Sequence, residues 1–285
     1  HPNWPELRSD NRTPMIEKCL NEITKPYTLP TIEERIKYYI GALNHSSVKI
    51  VNYEILNRSE FVGNAEIVDF KDKGILYSDD LNYIANICDI KGNLPLLTGD
   101  NTYDIQYTFF SKSRPITKNE YTSNTILLPL DKQRHFKFAF EILNKKVKEL
   151  PFSKKSSKLI WRGTTTGMKS TVRNGTSSHN RGVLVEKYFK EKWCDIAFNS
   201  TCQGFDKKYK KFVRSSIDEQ DWLNHKYLLS VEGNDVASNL KWMLASNSVV
   251  LMQPPVMETW AMEGMLLPYI HYVPLSEDFE DLKSK

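Results

Sequence analysis

His225–Pro255 reads HKYLLSVEGNDVASNLKWMLASNSVVLMQPP, and Met257–Leu275 continues as METWAMEGMLLPYIHYVPL. The first piece predicts strand, tight turn, helix and strand. Lys226–Glu232 has the character of a buried parallel strand, Gly233-Asn234-Asp235 is a turn, and Val236, Leu240, Met243 and Leu244 recur at helical spacing behind Asp235, a good N-cap. Ser246-Asn247 closes the helix and Ser248–Met252 is the next strand. A polar turn between a strand and a helix N-terminus leaves backbone N–H groups for an anion. Gly233, Asn234, Asp235, Ala237 and Ser238 are therefore expected at a phosphate. The GxGxxG fingerprint is absent, which disfavours dinucleotide oxidoreduction.

Upstream, Lys158–Gly167 (KLIWRGTTTG) reads as a strand opening into a Gly/Thr loop. Backbone N–H groups, the hydroxyls of Thr164 and Thr165, and the Arg162 guanidinium beside Gly163 are a set that holds phosphate oxygens. It is not a Walker loop, since Gly-Lys-Ser/Thr does not follow. His179-Asn180-Arg181 leads into a helix over Gly182–Lys192, with Val183, Leu184, Tyr188 and Phe189 facing inward. Arg181 at a helix N-terminus is electrostatically misplaced unless an anion lies near it.

In the first half, Thr31 caps a helix in which Ile32, Ile36, Tyr39, Ile40 and Leu43 form a core-facing stripe. Leu81–Asp89 reads as a buried strand ending on a carboxylate, Asp89, placed where a general base is useful. Ile105–Phe110 is a second strand, running into Ser111-Lys112-Ser113-Arg114; Tyr107, Phe109, Ser111 and Lys112 are candidates for an acceptor sugar. Ile126–Leu130 is a third apolar piece. Lys132–Leu150 predicts an amphipathic helix, and Pro151 with the polar run after it marks the domain boundary: residues 1–150 and 151–285.

With 285 residues and a formal charge of +4, the composition is that of a soluble globular protein and does not announce a nucleic-acid binder. The lysine run at Lys207–Lys211 reads as a solvated face. The four cysteines, Cys19, Cys88, Cys194 and Cys202, lack metal spacing, leaving a Cys194–Cys202 bridge open. Asn-x-Ser/Thr sequons start at Asn11, Asn44, Asn57, Asn174 and Asn199. No apolar run approaches the ~18 residues of a membrane span, so stable membrane insertion is not expected. A cytoplasmic setting is favoured, or a secretory lumen if an N-terminal signal has been removed.

GNDVASNLKWMLASNSVVLM, ETWAMEG and LLPYIHYVPL together resemble the C-terminal signature of the family 90 glycosyltransferases, which include protein O-glucosyltransferases and capsule xylosyltransferases. WRGTTTG resembles the family's phosphate-side loop, Asn86-Ile87-Cys88-Asp89 the strand end with its catalytic aspartate, and YTFFSKS (Tyr107–Ser113) a following segment. The resemblance spans about residues 80–275. It implies an α/β GT-B fold, two Rossmann-like domains across a cleft, the first bringing the base and acceptor, the second the donor, with the final segment crossing back. It also implies inverting, metal-independent transfer, with no cofactor, from a UDP-sugar, xylose before glucose, to a hydroxyl of a glycan or glycoprotein. Asp89 would be the base. Glu258 would meet the ribose and Trp260 the nucleobase. Family members commonly carry arginine at the position of Asn239, so Lys241 or Arg181 is expected to supply that charge. The other reading is a non-catalytic sugar or nucleotide-sugar binding module on the same fold.

Overall fold

The structure, a computed structural model, describes residues 30–40, 66–67, 96–98, 109–116, 125–127, 129–168 and 181–285. The expected strand at Leu81–Asp89 and residues 105–108 lie outside the described residues. The first helix, α1 (Ile32–Ile40), starts as its sequence requires. Glu34 N–H donates to Thr31 Oγ1 at 3.2 Å and Thr31 N–H to Glu34 Oε2 at 2.7 Å, a reciprocal capping box. Its expected core stripe is not realised at Ile32 and Ile36, which are 64% and 48% exposed.

Strands β1 (Glu66–Ile67), β2 (Leu96–Thr98), β3 (Phe109–Ser111) and β5 (Thr125–Leu127) form one mixed sheet in the order β1-β2-β3-β5. Between them β4 (Ser113–Pro115) leaves that sheet and pairs antiparallel with β10 (Met257–Thr259), placing Arg114 opposite Glu258. The helix expected over Lys132–Leu150 is two helices, α2 (Lys132–His135) and α3 (Lys137–Leu143). Phe136 leaves helical geometry between them (φ −125°), and Asn144 Nδ2 donates to the Phe140 carbonyl at 2.8 Å to close the second. The lysines after it lie beyond the helix.

The second half is a parallel sheet of β6 (Ser156–Thr164), β7 (Cys194–Ser200), β8 (His225–Ser230), β9 (Val249–Met252) and β11 (Val273–Pro274), in the order β11-β9-β8-β6-β7. The connecting helices are α4 (Arg181–Tyr188), α5 (Asp206–Tyr209), α6 (Glu219–Trp222) and α7 (Leu240–Ala245). Alternation along the strands sends side chains to two buried layers. Leu159, Trp161, Leu229 and Leu251 pack with Leu184, Val185 and Phe279 on one face; Ile160, Leu228 and Val250 pack with Ala139, Ile142, Trp242 and Met243 on the other. The α/β class expected from the sequence is therefore the one adopted. Helix α4 ends four residues before the expected Lys192, and Val185 rather than Val183 takes the fully buried position. Among the described residues no helix is long and apolar enough to cross a membrane.

Leu228 has no solvent exposure and lies mid-strand in the second layer. Leu228→Ala is expected to lower unfolding free energy in urea by about 2–5 kcal/mol, and a loss under about 1 kcal/mol would contradict this packing.

Candidate functional site

Chain winding in the parallel sheet reverses between neighbours β6 and β8: β7 lies to one side, β9 and β11 to the other. In open α/β sheets the crevice at the carboxyl ends of such a strand pair is where ligands bind, because the loops part there. A cavity of about 1070 Å³ opens at this point. It is lined by Gly163 and Thr164 at the end of β6 and Thr166 after it, by Val231 and Gly233–Asn239 after β8, and by Arg181 at the start of α4.

Arg181 is the structural centre of this crevice. Its Nε donates to the Glu232 carbonyl at 3.1 Å, one terminal nitrogen to the Val231 carbonyl at 2.7 Å, and the other to Thr164 O at 3.2 Å and Thr166 Oγ1 at 2.7 Å. One guanidinium thus ties the ends of β6 and β8 together. Among the described residues no carboxylate forms an ion pair with it. Burial pulls its pKa down to about 10, against the pull of Asp235, Cys202 and Glu232, so it remains a cation at neutral pH. A buried cation held by carbonyl and hydroxyl oxygens is a favourable neighbour for an incoming anion.

The turn after β8 differs from its expected form. Gly233 N–H is spent on the Asp235 carbonyl at 2.9 Å, and Asn234 Oδ1 accepts the Gly167 N–H at 2.7 Å. Asp235 does not cap a helix: its carboxylate pairs with Lys112, which arrives between β3 and β4. Helix α7 begins only at Leu240, so Ala237 and Ser238 belong to a loop. At this turn positive charge comes from side chains, not from the end of α7.

Of the residues expected at a donor, Arg162, Gly163, Thr164, Arg181, Gly233, Asn234, Asp235, Ala237, Ser238 and Asn239 all line the cavity, as does Lys112 from the expected acceptor set. Arg162 is bound at 2.9 Å to Asp195 Oδ2, with further bonds to the Trp161, Asp195 and Ser215 carbonyls. Burial of Asp195 opposes its ionisation, but Arg162 and Arg214 together hold its carboxyl below the usual range. Three expected donor residues do not line the cavity. Thr165 is fully buried and exchanges hydrogen bonds with the Cys202 backbone at 2.7 and 2.9 Å. Lys241 pairs with buried Glu263 at 3.2 Å, so it does not stand in for an arginine at Asn239. Glu258 is held at 2.7 Å by Arg114 and accepts the Tyr38 hydroxyl, while Trp260 stacks on Tyr39 at 4.8 Å. Asp89 and Tyr107 lie outside the described residues, and Phe109 and Ser111 are described in backbone only.

The cavity also takes in residues that sequence reasoning did not single out as site residues. Phe138 and Trp222 each meet Trp242 edge to face, and the three give the cavity an aromatic wall. Glu141 and Glu219 stand together there; burial, then the charge of Glu141, holds the Glu219 carboxyl above the usual range. Asn199 enters from the end of β7, a position that the strand-end rule would have flagged had that strand been recognised. Cys194 and Cys202 are free thiols. Among the described residues no cluster of three or more His, Cys, Asp or Glu is arranged to hold a metal ion.

Fold and cavity define an α/β protein with a polar crevice and a buried cation at its topological switch point. The chain belongs to glycosyl transferase family 90, whose sequence profile matches residues 124–285. It is also similar to the O-glucosyltransferase LpsA of Dichelobacter nodosus, 36% identical over 209 residues, which are 73% of this chain. The chain spans 58% of that relative's length.

The two loops of the crevice meet backbone to backbone. Gly167 has φ +76°, and a Cβ there would lie 2.4 Å from the Gly233 carbonyl oxygen; Gly204 has φ +81° but faces open space. Gly167→Ala is expected to cost about 2–5 kcal/mol, strain plus collision, and Gly204→Ala only about 1–2 kcal/mol. Urea unfolding of both variants checks this, and equal losses would contradict the loop contact.

Proposed function

We propose that this chain transfers a sugar from a UDP-sugar to a hydroxyl of a glycan or glycoprotein, with inversion and without a metal. The reading places it in a GT-B arrangement, residues 1–150 bringing base and acceptor and 151–285 the donor. Membership of family 90 supports glycosyl transfer. The relative's description as an O-glucosyltransferase supports a hydroxyl acceptor and puts glucose ahead of xylose. The observation that carries the donor assignment is Arg181, a buried guanidinium at the switch-point cavity with no carboxylate paired to it among the described residues.

In this reading Asp89 takes the proton of the acceptor hydroxyl as its oxygen attacks the anomeric carbon from the face opposite the nucleotide. The glycosidic bond to the diphosphate breaks as the new one forms, and charge grows on the leaving UDP. Arg181 meets that charge in a low-dielectric setting, with Lys112 close by at Asp235. The aromatic wall of Phe138, Trp222 and Trp242 suits the flat nucleoside end of the donor.

Calorimetric titration is expected to show UDP binding at least about 10-fold tighter than uridine, with Arg181→Gln removing most of that difference. Asp89→Asn is expected to bind UDP normally yet lose about 10²–10⁴-fold in glucose transfer, with wild-type turnover unaffected by EDTA. Equal affinity for UDP and uridine would overturn the donor site. Full activity in Asp89→Asn would overturn the base.

A further inference from the structure

Two cations reach the turn after β8 from opposite halves of the chain. Arg181 lies directly against it: a Cβ on Gly233 would stand 3.0 Å from one of the guanidinium's terminal nitrogens. Lys112, carried in between β3 and β4, pairs with Asp235 two residues further along the turn. Lys112, Arg181 and Asp235 all line the cavity, and the side chains of the ion pair keep 12% and 14% of their surface exposed. Asp235 acts on both cations. Burial works against the charge of Arg181, and Asp235 is the strongest of the groups that favour it. Like charges in a poorly solvated crevice repel one another strongly, and a carboxylate beside them relieves that repulsion.

We infer that Lys112 is a second cation of the donor site and that Asp235 stands in for the ligand's anion in the free chain, the ammonium passing from the carboxylate to a diphosphate oxygen when the nucleotide sugar binds. The inference rests on the proposed UDP-sugar reading and adds a charge exchange to it. Lysine suits such an exchange, being a compact charge on a flexible stem, whereas Arg181 is fixed by four protein oxygens. A diphosphate carries more negative charge than one carboxylate and so competes for the ammonium. Asp235 opposes it twice, by holding Lys112 and by repelling the ligand's own charge. A ligand shifts such an equilibrium only by its differential affinity for the two arrangements, so the carboxylate stabilises the empty crevice and weakens nucleotide binding. During transfer the same ammonium meets the charge that grows on the leaving diphosphate.

The test is calorimetric titration of Asp235→Asn, Lys112→Met and the double variant with UDP and with uridine, in the full chain. Asp235→Asn is expected to bind UDP about 3- to 10-fold more tightly than wild type, with uridine affinity unchanged and the ligand-free Tm lowered. Lys112→Met is expected to bind UDP about 10-fold more weakly, again with uridine unchanged. Should Lys112→Met fail to fold because it leaves Asp235 unpaired, the double variant compared with Asp235→Asn reads the lysine alone, and a loss of about 10-fold for UDP is expected there. A merely structural ion pair would leave UDP binding in Asp235→Asn unchanged or weaker, and that result overturns the inference. So does equal UDP affinity in the double variant and Asp235→Asn, or a change for uridine as large as that for UDP. Equal affinity of the wild type for UDP and uridine would instead overturn the proposed donor site.

Discussion

Everything placed in the crevice depends on one buried guanidinium. Arg181 gives all three of its nitrogens to oxygens at the ends of β6 and β8, and those strands part at the point where the winding of the sheet reverses. Without it, the Val231 and Glu232 carbonyls and the Thr164 carbonyl would face one another across the gap with no donor between them. Desolvation makes such a cation expensive, and carbonyl dipoles offset only part of that cost. An anion bound in the cavity would offset more, which links stability of the loop pair to occupancy of the site.

A second set of interactions brings the first half of the chain to this crevice. Strand β4 pairs with β10, Arg114 locks onto Glu258, and Tyr38 from α1 joins the same carboxylate. Lys112, just before β4, is thereby delivered to Asp235 on the loop after β8. The METWAMEG segment is therefore more a clamp for the first half than a ligand surface. Gly264 belongs to this clamp, since a Cβ there would lie 2.7 Å from Glu258 Oε2.

Much of this was legible from residue type and spacing. The α/β class, β8 and β9, the Thr31 cap and the electrostatic oddity of Arg181 all follow from local rules. The failures share a cause, which is that distant partners outweighed local preference. Asp235 is a good N-cap by chemistry, yet its carboxylate is drawn to Lys112 and the helix waits until Leu240. Asn234 turns its side chain to Gly167. Glu258 and Lys241 looked free for a ligand until Arg114 and Glu263 came into view. Strand β7 is bounded by charged and polar residues and ends in a sequon, so neither the strand nor the bulge at Asn199 was legible from residue type.

In the proposed reading a diphosphate is held at the junction of β6 and β8 by Arg181. A crystal structure of the chain soaked with UDP tests it most directly. Diphosphate oxygens are expected within hydrogen-bonding distance of the Arg181 guanidinium, between the Thr164 and Gly233 loops, with the uracil against the aromatic wall. UDP bound with its phosphates away from Arg181, or outside this cavity, would contradict it.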